Sequence, residues 1–166
     1  MATNTVKMFK HGLLEIADSG GFGGMNSISV PMGEGAFGFT ETQEIKVKKD
    51  RGVLDHMLKG EEEPVQWTLD AEFRGFLGAT GTADASTLIY EALNGISSAS
   101  DWDSDEPNSD VHAVQIRLTL TDPGDSTIET LTLTRSAKGS LQFEEGEDGD
   151  TFSIQGISML TVPAIA

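Results

Sequence analysis

The sequence predicts a mainly β domain with many turns and one amphipathic helix. Three segments alternate apolar and polar side chains with a period of two: residues 65–74, 114–121 and 130–134. This alternation is typical of strands that bury one face. Glycine is frequent, at 19 residues, and only 7% of the residues are aromatic, a profile that fits a sheet with many turns.

The 166 residues are expected to form one domain, large enough to bury roughly 70% of the surface that the unfolded chain exposes. No apolar run approaches the ~18 residues of a membrane span, and the N-terminus lacks the apolar core of a signal peptide. The chain has no cysteine, which excludes disulfides and thiolate metal sites. We therefore expect a protein that is made and used without export or membrane insertion.

The net charge of −16 is concentrated in the second half of the chain. Residues 1–76 carry 12 acids and 8 bases, whereas residues 77–166 carry 15 acids and 3 bases. Such a surface repels phosphate backbones, which argues against sequence-specific nucleic-acid binding. The same charge distribution fits two interpretations: an ordinary soluble acidic protein, or a protein whose surface must not adhere to DNA.

A first strand is predicted near residues 13–16 and a short second one over 27–30, with the glycine-rich loop SGGFGG between them. Residues 33–38, GEGAFG, match the GxGxxG spacing of dinucleotide sites. That site needs a helix after the glycines, but the chain continues as FTETQEIKV, which is typical of a strand. We interpret the segment as a turn and expect no nucleotide cofactor.

The segment 44–76 organises the chain, because it holds two strands and a long connection between them. The first strand contains Ile45 and Val47, and the second, over 65–74, is the clearest in the protein. The connection at about 46–64 is predicted to be a loop rather than a tight hairpin. Its start is basic and its end is acidic, through Lys46, Lys48, Lys49 and Arg51 and through Glu61, Glu62 and Glu63. Such a loop can pair with itself or with the same loop of another copy.

One helix is predicted after residue 82, capped by Asp84 or Ser86 and ended by Gly95. Five apolar residues share one of its faces: Leu88, Ile89, Ala92, Leu93 and Ile96. The amphipathic pattern indicates that the helix lies against one face or edge of the sheet.

The acidic segment DWDSDEPNSD, at 101–110, resembles the start of a calcium-binding loop. Asp101, Asp103 and Asp105 occupy its first three ligand positions, but Glu106 replaces the glycine and His112 replaces the bidentate glutamate. We interpret this segment as a solvated acidic loop and expect no metal.

The last third of the chain is predicted to be strands. The alternating segments on either side of TDPGDS are predicted to form a hairpin. In the final strand one parity holds Phe152, Ile154, Ser158, Leu160 and Val162. Ile157 and Met159 have the opposite parity, so this strand is predicted to be covered on both faces for part of its length.

The sequence carries no recognisable catalytic motif, and we expect no enzymatic activity. His11, His56 and His112 stand alone, without HxH or HExxH spacing. No serine lies in a GxSxG elbow, and the paired acids Glu144 and Glu145 lie in a glycine-rich turn that water solvates.

The order of elements, together with DRGVLD, GEEEPVQW and EGEDGDTFSIQG, resembles the tail tube proteins of long-tailed bacteriophages and related gene transfer agents. The resemblance covers about residues 13–162. It implies a β-sandwich or partly closed barrel with one flanking helix. It also implies hexameric rings that stack into a hollow tube, with joined inner sheets lining the lumen.

The resemblance further implies that the 46–64 loop reaches a neighbouring subunit, with Lys48, Lys49 and Arg51 facing Glu61, Glu62 and Glu63 of another copy. It implies a virion protein, assembled in the host cytoplasm, with tape measure, terminator and baseplate or distal tail proteins as partners. DNA would pass through without specific binding, and Asp70 and Glu72 are the candidates for facing the lumen.

Two alternatives remain at the level of sequence. One is the related tube protein of the type VI secretion system, although its characteristic motifs are not visible here. The other is a monomeric β-sandwich binding module for a carbohydrate or calcium, which would need exposed aromatic residues on loops. Trp102 and Phe22 are the residues that could serve this role.

Overall fold

A computed structural model describes residues 12–22, 26–30, 37–76, 88–96, 102–106, 108, 110–121, 128–147 and 149–165. The predictions for the N-terminal arm, the GEGAFG turn up to residue 36, Asp101 and the TDPGDS turn lie outside these residues, as do Asp84 and Ser86 themselves. The elements of the described part, in chain order, are β1 Leu13–Ala17, β2 Ser27–Ser29, β3 Phe37–Thr40, β4 Gln43–Asp50, β5 Val53–Glu62, β6 Val65–Glu72, α1 Ile89–Asn94, β7 Ala113–Thr121, β8 Ile128–Glu144, β9 Thr151–Ser158 and β10 Leu160–Ile165.

Eight of the strands form one antiparallel sheet in the order β2-β1-β7-β8-β9-β6-β3, with β10 paired to β8. The end strands β2 and β3 do not pair with each other, so the sheet does not close into a barrel. The predicted fold class, mainly β with one flanking helix, is confirmed. Strands β4 and β5 form a separate two-stranded sheet.

Strand β8 organises the large sheet because its 17 residues pair with three other strands. Its first half lies between β7 and β10, and its second half pairs with β9. The register against β7 shifts between Val114 and Ile116, and Arg135 on β8 adopts a positive φ of 51°. This bulge bends β8 and lets one strand serve two parts of the sheet.

Strand β6 alternates in burial as its sequence predicts. Its apolar residues Val65, Trp67, Leu69 and Ala71 are buried, and its polar residues are exposed. They join one hydrophobic cluster with apolar residues of β1, β7, β8, β9 and α1. Gly156 on β9 packs so closely under Trp67 that a Cβ atom at this position would overlap the indole ring and the Ala137 carbonyl oxygen.

The helix α1 is short and closes the core at one face of the sheet. Ile89, Ala92 and Leu93 are buried, as predicted, whereas Ile96 beyond the helix is half exposed. The helix begins at Ile89 with Leu88 as its N-cap, so the prediction that Asp84 or Ser86 caps it is wrong. The Glu91 carboxylate accepts a hydrogen bond of 2.9 Å from the Leu88 amide, which satisfies one free donor at the helix start. Gly95 ends the helix with a φ of 64°, as predicted.

The acidic segment after the helix is packed against the sheet, so the prediction of a solvated loop is wrong for Trp102 and Asp105, whereas Asp103 is exposed as predicted. Trp102 is buried in the core. Asp105 accepts hydrogen bonds from the Gln115 side chain at 2.8 Å and from the Arg135 amide at 2.7 Å. The segment therefore braces the bulge between β7 and β8.

The final strand is divided at Met159 into β9 and β10. Within the described part of the chain, Ile157, Met159 and Leu160 are 46%, 60% and 57% exposed. The prediction that both faces of this strand are covered is therefore wrong for the isolated chain.

Candidate subunit interface

The predicted loop at 46–64 is a long β-hairpin, so its predicted conformation is wrong. Strands β4 and β5 pair in antiparallel register around a turn at Arg51 and Gly52, which both have positive φ, at 47° and 85°. Two positive φ angles define the turn type that best matches strand twist in hairpins. The turn was not predicted from the sequence for two reasons. Arg-Gly is a less usual turn pair than Asn-Gly, and apolar and polar residues do not alternate in VLDHMLKGEE.

The hairpin exposes an unusual amount of apolar surface. Val53, Leu54 and Met57 are 70%, 69% and 74% exposed. The other exposed apolar side chains of the hairpin are Ile45, Val47 and Leu58, and Leu160 on β10 is exposed as well. Val47 lies opposite Met57 in the register, so these two side chains share one face. An isolated two-stranded hairpin is only marginally stable in water, and exposed apolar patches of this kind mark interaction sites.

The charges on the hairpin are separated along its length. Lys48, Lys49 and Arg51 lie at or near the tip and form no ion pair with the described residues. Glu61, Glu62 and Glu63 lie at the base, which is roughly 30 Å from the turn at ~3.3 Å per residue. Lys49 and Arg51 are therefore too far from these acids to pair within one copy, since ionic attraction is screened beyond about 10 Å. Lys48 is nearer, because it lies opposite His56, about 17 Å along the strand from Glu61 at ~3.3 Å per residue.

Two of the predicted charges have partners within the hairpin. Lys46 lies 3.4 Å from Glu44. Lys59 contacts Glu62 at 2.5 Å and, through this hydrogen bond and its charge, lowers the pKa of the exposed Glu62 carboxyl. These local pairs leave the tip as the part of the hairpin whose cations lack partners among the described residues.

Asp70 and Glu72 lie on the solvent face of β6, as predicted. Asp70 pairs in register with Ser153 and accepts its hydroxyl hydrogen bond, and Glu72 contacts Arg74 at 3.4 Å. The same face includes Gln66 and Thr68 on β6 and continues across β9 and β8 with Thr151 opposite Glu144 and with Gln155 and Gln142. At its other end the exposed Ile157 lies opposite Gln66. Around Asp70 and Glu72 the face is thus polar and acidic.

Three strands of the large sheet have an unpaired edge in the described part of the chain. Strand β2 pairs with β1 alone, β3 pairs with β6 alone, and β10 pairs with β8 alone. Unpaired backbone donors and acceptors are templates for the addition of a strand from another chain. The sequence could not reveal these edges, because it does not show the order of strands in a sheet.

His112 links the helix to the sheet. Its Nε2 donates a hydrogen bond of 2.9 Å to the carbonyl oxygen of Ala92 in α1. Burial lowers the pKa of His112, and this effect outweighs the opposing influence of that hydrogen bond and of Asp18. Lys138 lies close by and donates to the Asn94 side chain.

The stability of the protein is expected to fall as the pH drops below the ordinary histidine pKa of about 6.5. The folded pKa of His112 is lowered, so the unfolded chain takes up the proton first and is favoured in this range. His112→Gln, whose amide can still donate to Ala92, should show a smaller loss of stability between pH 7 and 5.5. Urea unfolding at each pH measures the difference, and equal losses in both proteins would contradict it.

Other described features bear on the alternative of a monomeric binding module. No group of three or more potential metal-ligating side chains occurs among the described residues. Trp102 is buried, and Phe22 lies under the Arg117 guanidinium at 4.1 Å, so neither offers the free aromatic surface that a binding module would need. No helix in the described part is long and apolar enough to cross a membrane.

Comparison with known proteins reveals similarity in structure but not in sequence. No protein family and no curated protein matches the chain. Among solved structures, a chain of the anti-feeding prophage cap, the AFP tube-terminating cap, superposes with a TM-score of 0.61 at 12% identity, covering 100% of this chain and 95% of that one.

Two further matches come from an extracellular contractile injection system, PVC. A chain of its sheath–tube complex has a TM-score of 0.58 at 10% identity, covering 99% of this chain and 95% of that one. A chain of its sheath/tube terminator has a TM-score of 0.56 at 11% identity, covering 99% of both. The chain therefore has the fold found in these phage-tail-like particles, and the resemblance noted in the sequence is confirmed for the fold.

Proposed function

We propose that this protein is a structural subunit of a phage-tail-like tube, assembling as hexameric rings that stack around a central channel. The observation that carries the proposal is the β4–β5 hairpin, whose apolar side chains are exposed and whose tip cations have no partner in the described part of the chain. A segment of this kind is stabilised when a second copy covers it. The similar structures belong to structural assemblies, namely a tube-terminating cap and a sheath–tube complex.

In this proposal residues 1–166 form one domain, and the hairpin is its inter-subunit element. Lys48, Lys49 and Arg51 of one copy face the acidic base of a neighbour's hairpin, around Glu61, Glu62 and Glu63. The contact is heterologous, because different surfaces of the two copies meet. Repeated heterologous contacts close into a ring or continue as a filament. The open edges of β3 and β10 supply further places where neighbouring sheets can join.

The acidic face around Asp70 and Glu72 is proposed to line the channel. Carboxylates there repel DNA phosphates, so DNA passes through during ejection without adhering. The protein would then belong to the tail of a virion, with tape measure, terminator and baseplate or distal tail proteins as partners.

A second candidate function is that of a ring that terminates the tube. It is favoured by the similarity to the AFP tube-terminating cap and the PVC sheath/tube terminator. A terminating ring differs from a tube subunit in that its own copies form a single layer and do not stack further.

Negative-stain microscopy of the concentrated purified protein, with sedimentation velocity at rising concentration, tests the proposal. We expect rings with a central hole that stack into tubes. Rings that remain single would favour the terminating function, and a strict monomer at all concentrations would argue against both.

A further inference from the structure

Two surface grooves meet at Met159, between β9 and β10. The first, of ≈ 300 Å³, is lined mainly by apolar side chains that include Val111 and Ile157. The second, of ≈ 380 Å³, includes Leu160 and lies at the base of the hairpin. We call this region the Met159 surface, defined by Val111, Ile157, Met159 and Leu160, which are all 46% exposed or more.

The rim of the Met159 surface is acidic. Glu41, Glu61, Glu62 and Glu63 line the second groove, where Lys59 is the cation. Glu106 lines the first groove and is balanced by Arg135 at 3.4 Å. The surface thus has an apolar centre and a surplus of negative charge around it.

The tip of the hairpin, residues 48–54, has the complementary arrangement. Val53 and Leu54 are its apolar centre and are the side chains paired in register with Asp50 and Lys49. Lys48, Lys49 and Arg51 are its cations; Asp50 and Asp55, which also lie between Lys48 and its register partner His56, are its acids, so the tip has a surplus of one positive charge. An apolar centre with a charged rim is the usual composition of a protein–protein contact.

We propose that the hairpin tip of one copy docks on the Met159 surface of a second copy. The docking rests on the proposed assembly and specifies its contact, adding an apolar centre to the charge pairing. The same copy cannot fill the site, because its hairpin begins there, at Gln43 and Glu62, and its tip is roughly 30 Å away at ~3.3 Å per residue. The contact is head-to-tail, so it repeats from copy to copy.

Disulfide trapping tests the contact cleanly, because the chain has no native cysteine. Single variants Leu54→Cys and Met159→Cys are purified separately, mixed under assembly conditions and oxidised. We expect covalent dimers on non-reducing gels in the mixture and not in either variant alone, since a disulfide needs Cα atoms within about 7 Å. The control mixture pairs Leu54→Cys with Glu147→Cys, an exposed turn residue, and should give no dimer.

A second pair of variants separates docking from assembly in general. Met159→Asp adds an acid to the apolar centre and should raise the concentration needed for assembly by about tenfold or more. Ile96→Asp makes the same kind of change at another half-exposed residue, outside both grooves, and should leave assembly unchanged.

The outcomes distinguish the docking site from the proposed function. Rings or tubes that form without the Leu54–Met159 disulfide, and that tolerate Met159→Asp, would overturn the docking site and leave the tube function standing. Absence of both particles and disulfide, in the unmodified protein and in the mixture, would overturn both.

Discussion

The triple variant K48E/K49E/R51E is expected to lose the ability to form rings and tubes while keeping its fold. These side chains lie at the tip of the hairpin and have no ion pair with the described residues, so the subunit does not need them to fold. In the assembly each reversal replaces an attraction to a neighbour's acids with a repulsion. Three reversals at every interface should raise the concentration needed for assembly by about tenfold or more.

Sedimentation velocity and negative-stain microscopy measure the loss, and circular dichroism checks that the sheet is intact. A charge swap provides the matched control. E61K/E62K/E63K should fail to assemble alone, yet it should restore assembly when combined with K48E/K49E/R51E in the same chain. If K48E/K49E/R51E forms tubes as readily as the unmodified protein, the tip cations are not part of the interface.

The largest expected effect on stability is that of Trp67→Ala, which should lower the free energy of unfolding by about 3–5 kcal/mol. Trp67 is 1% exposed, and its Nε1 has no hydrogen-bond partner in the described part of the chain. Its contribution is therefore one of packing. Gln66→Ala, on the exposed face of the same strand, should change the free energy by no more than about 0.5 kcal/mol. Urea unfolding followed by fluorescence or circular dichroism provides the measurement.

Gly156 tests the same contact from the other side. A Cβ atom there would lie under 3.0 Å from both the Trp67 ring and the Ala137 carbonyl oxygen. Gly156→Ala should therefore cost about 1–3 kcal/mol or more. In the Trp67→Ala background the same change should cost less, because one of the two clashes is gone, with a coupling of about 0.5–3 kcal/mol. Strictly additive costs would show that the ring does not rest on Gly156.

Local signals in the sequence were sufficient where one segment decides its own structure. The alternation in β6 predicts which of its side chains are buried, because strand side chains point alternately to opposite faces. Gly95 predicts the end of the helix, because glycine adopts the left-handed conformation without strain. The exposed position of Asp70 and Glu72 follows from the same alternation.

Local signals failed in two cases, one where the turn has an unusual sequence and one where distant segments decide the outcome. The hairpin was predicted as a loop because its pairing depends on a turn at Arg51 and Gly52 that does not have the usual sequence. Trp102 was predicted to be exposed because its neighbours are acidic. The side chain is buried instead, because Asp105 accepts hydrogen bonds from groups on β7 and β8 that hold the segment against the sheet.

The sequence by itself determined the mainly β fold, the buried face of β6, the acidic charge and the separation of basic from acidic groups around the hairpin. These properties depend on residue type and on spacing along the chain. The tertiary structure alone decided that Arg51 and the Glu61–Glu63 acids lie at opposite ends of a hairpin and that Met159 lies between two grooves. Grooves and open edges arise from strands far apart in sequence, because the order and register of a sheet are set by long-range packing.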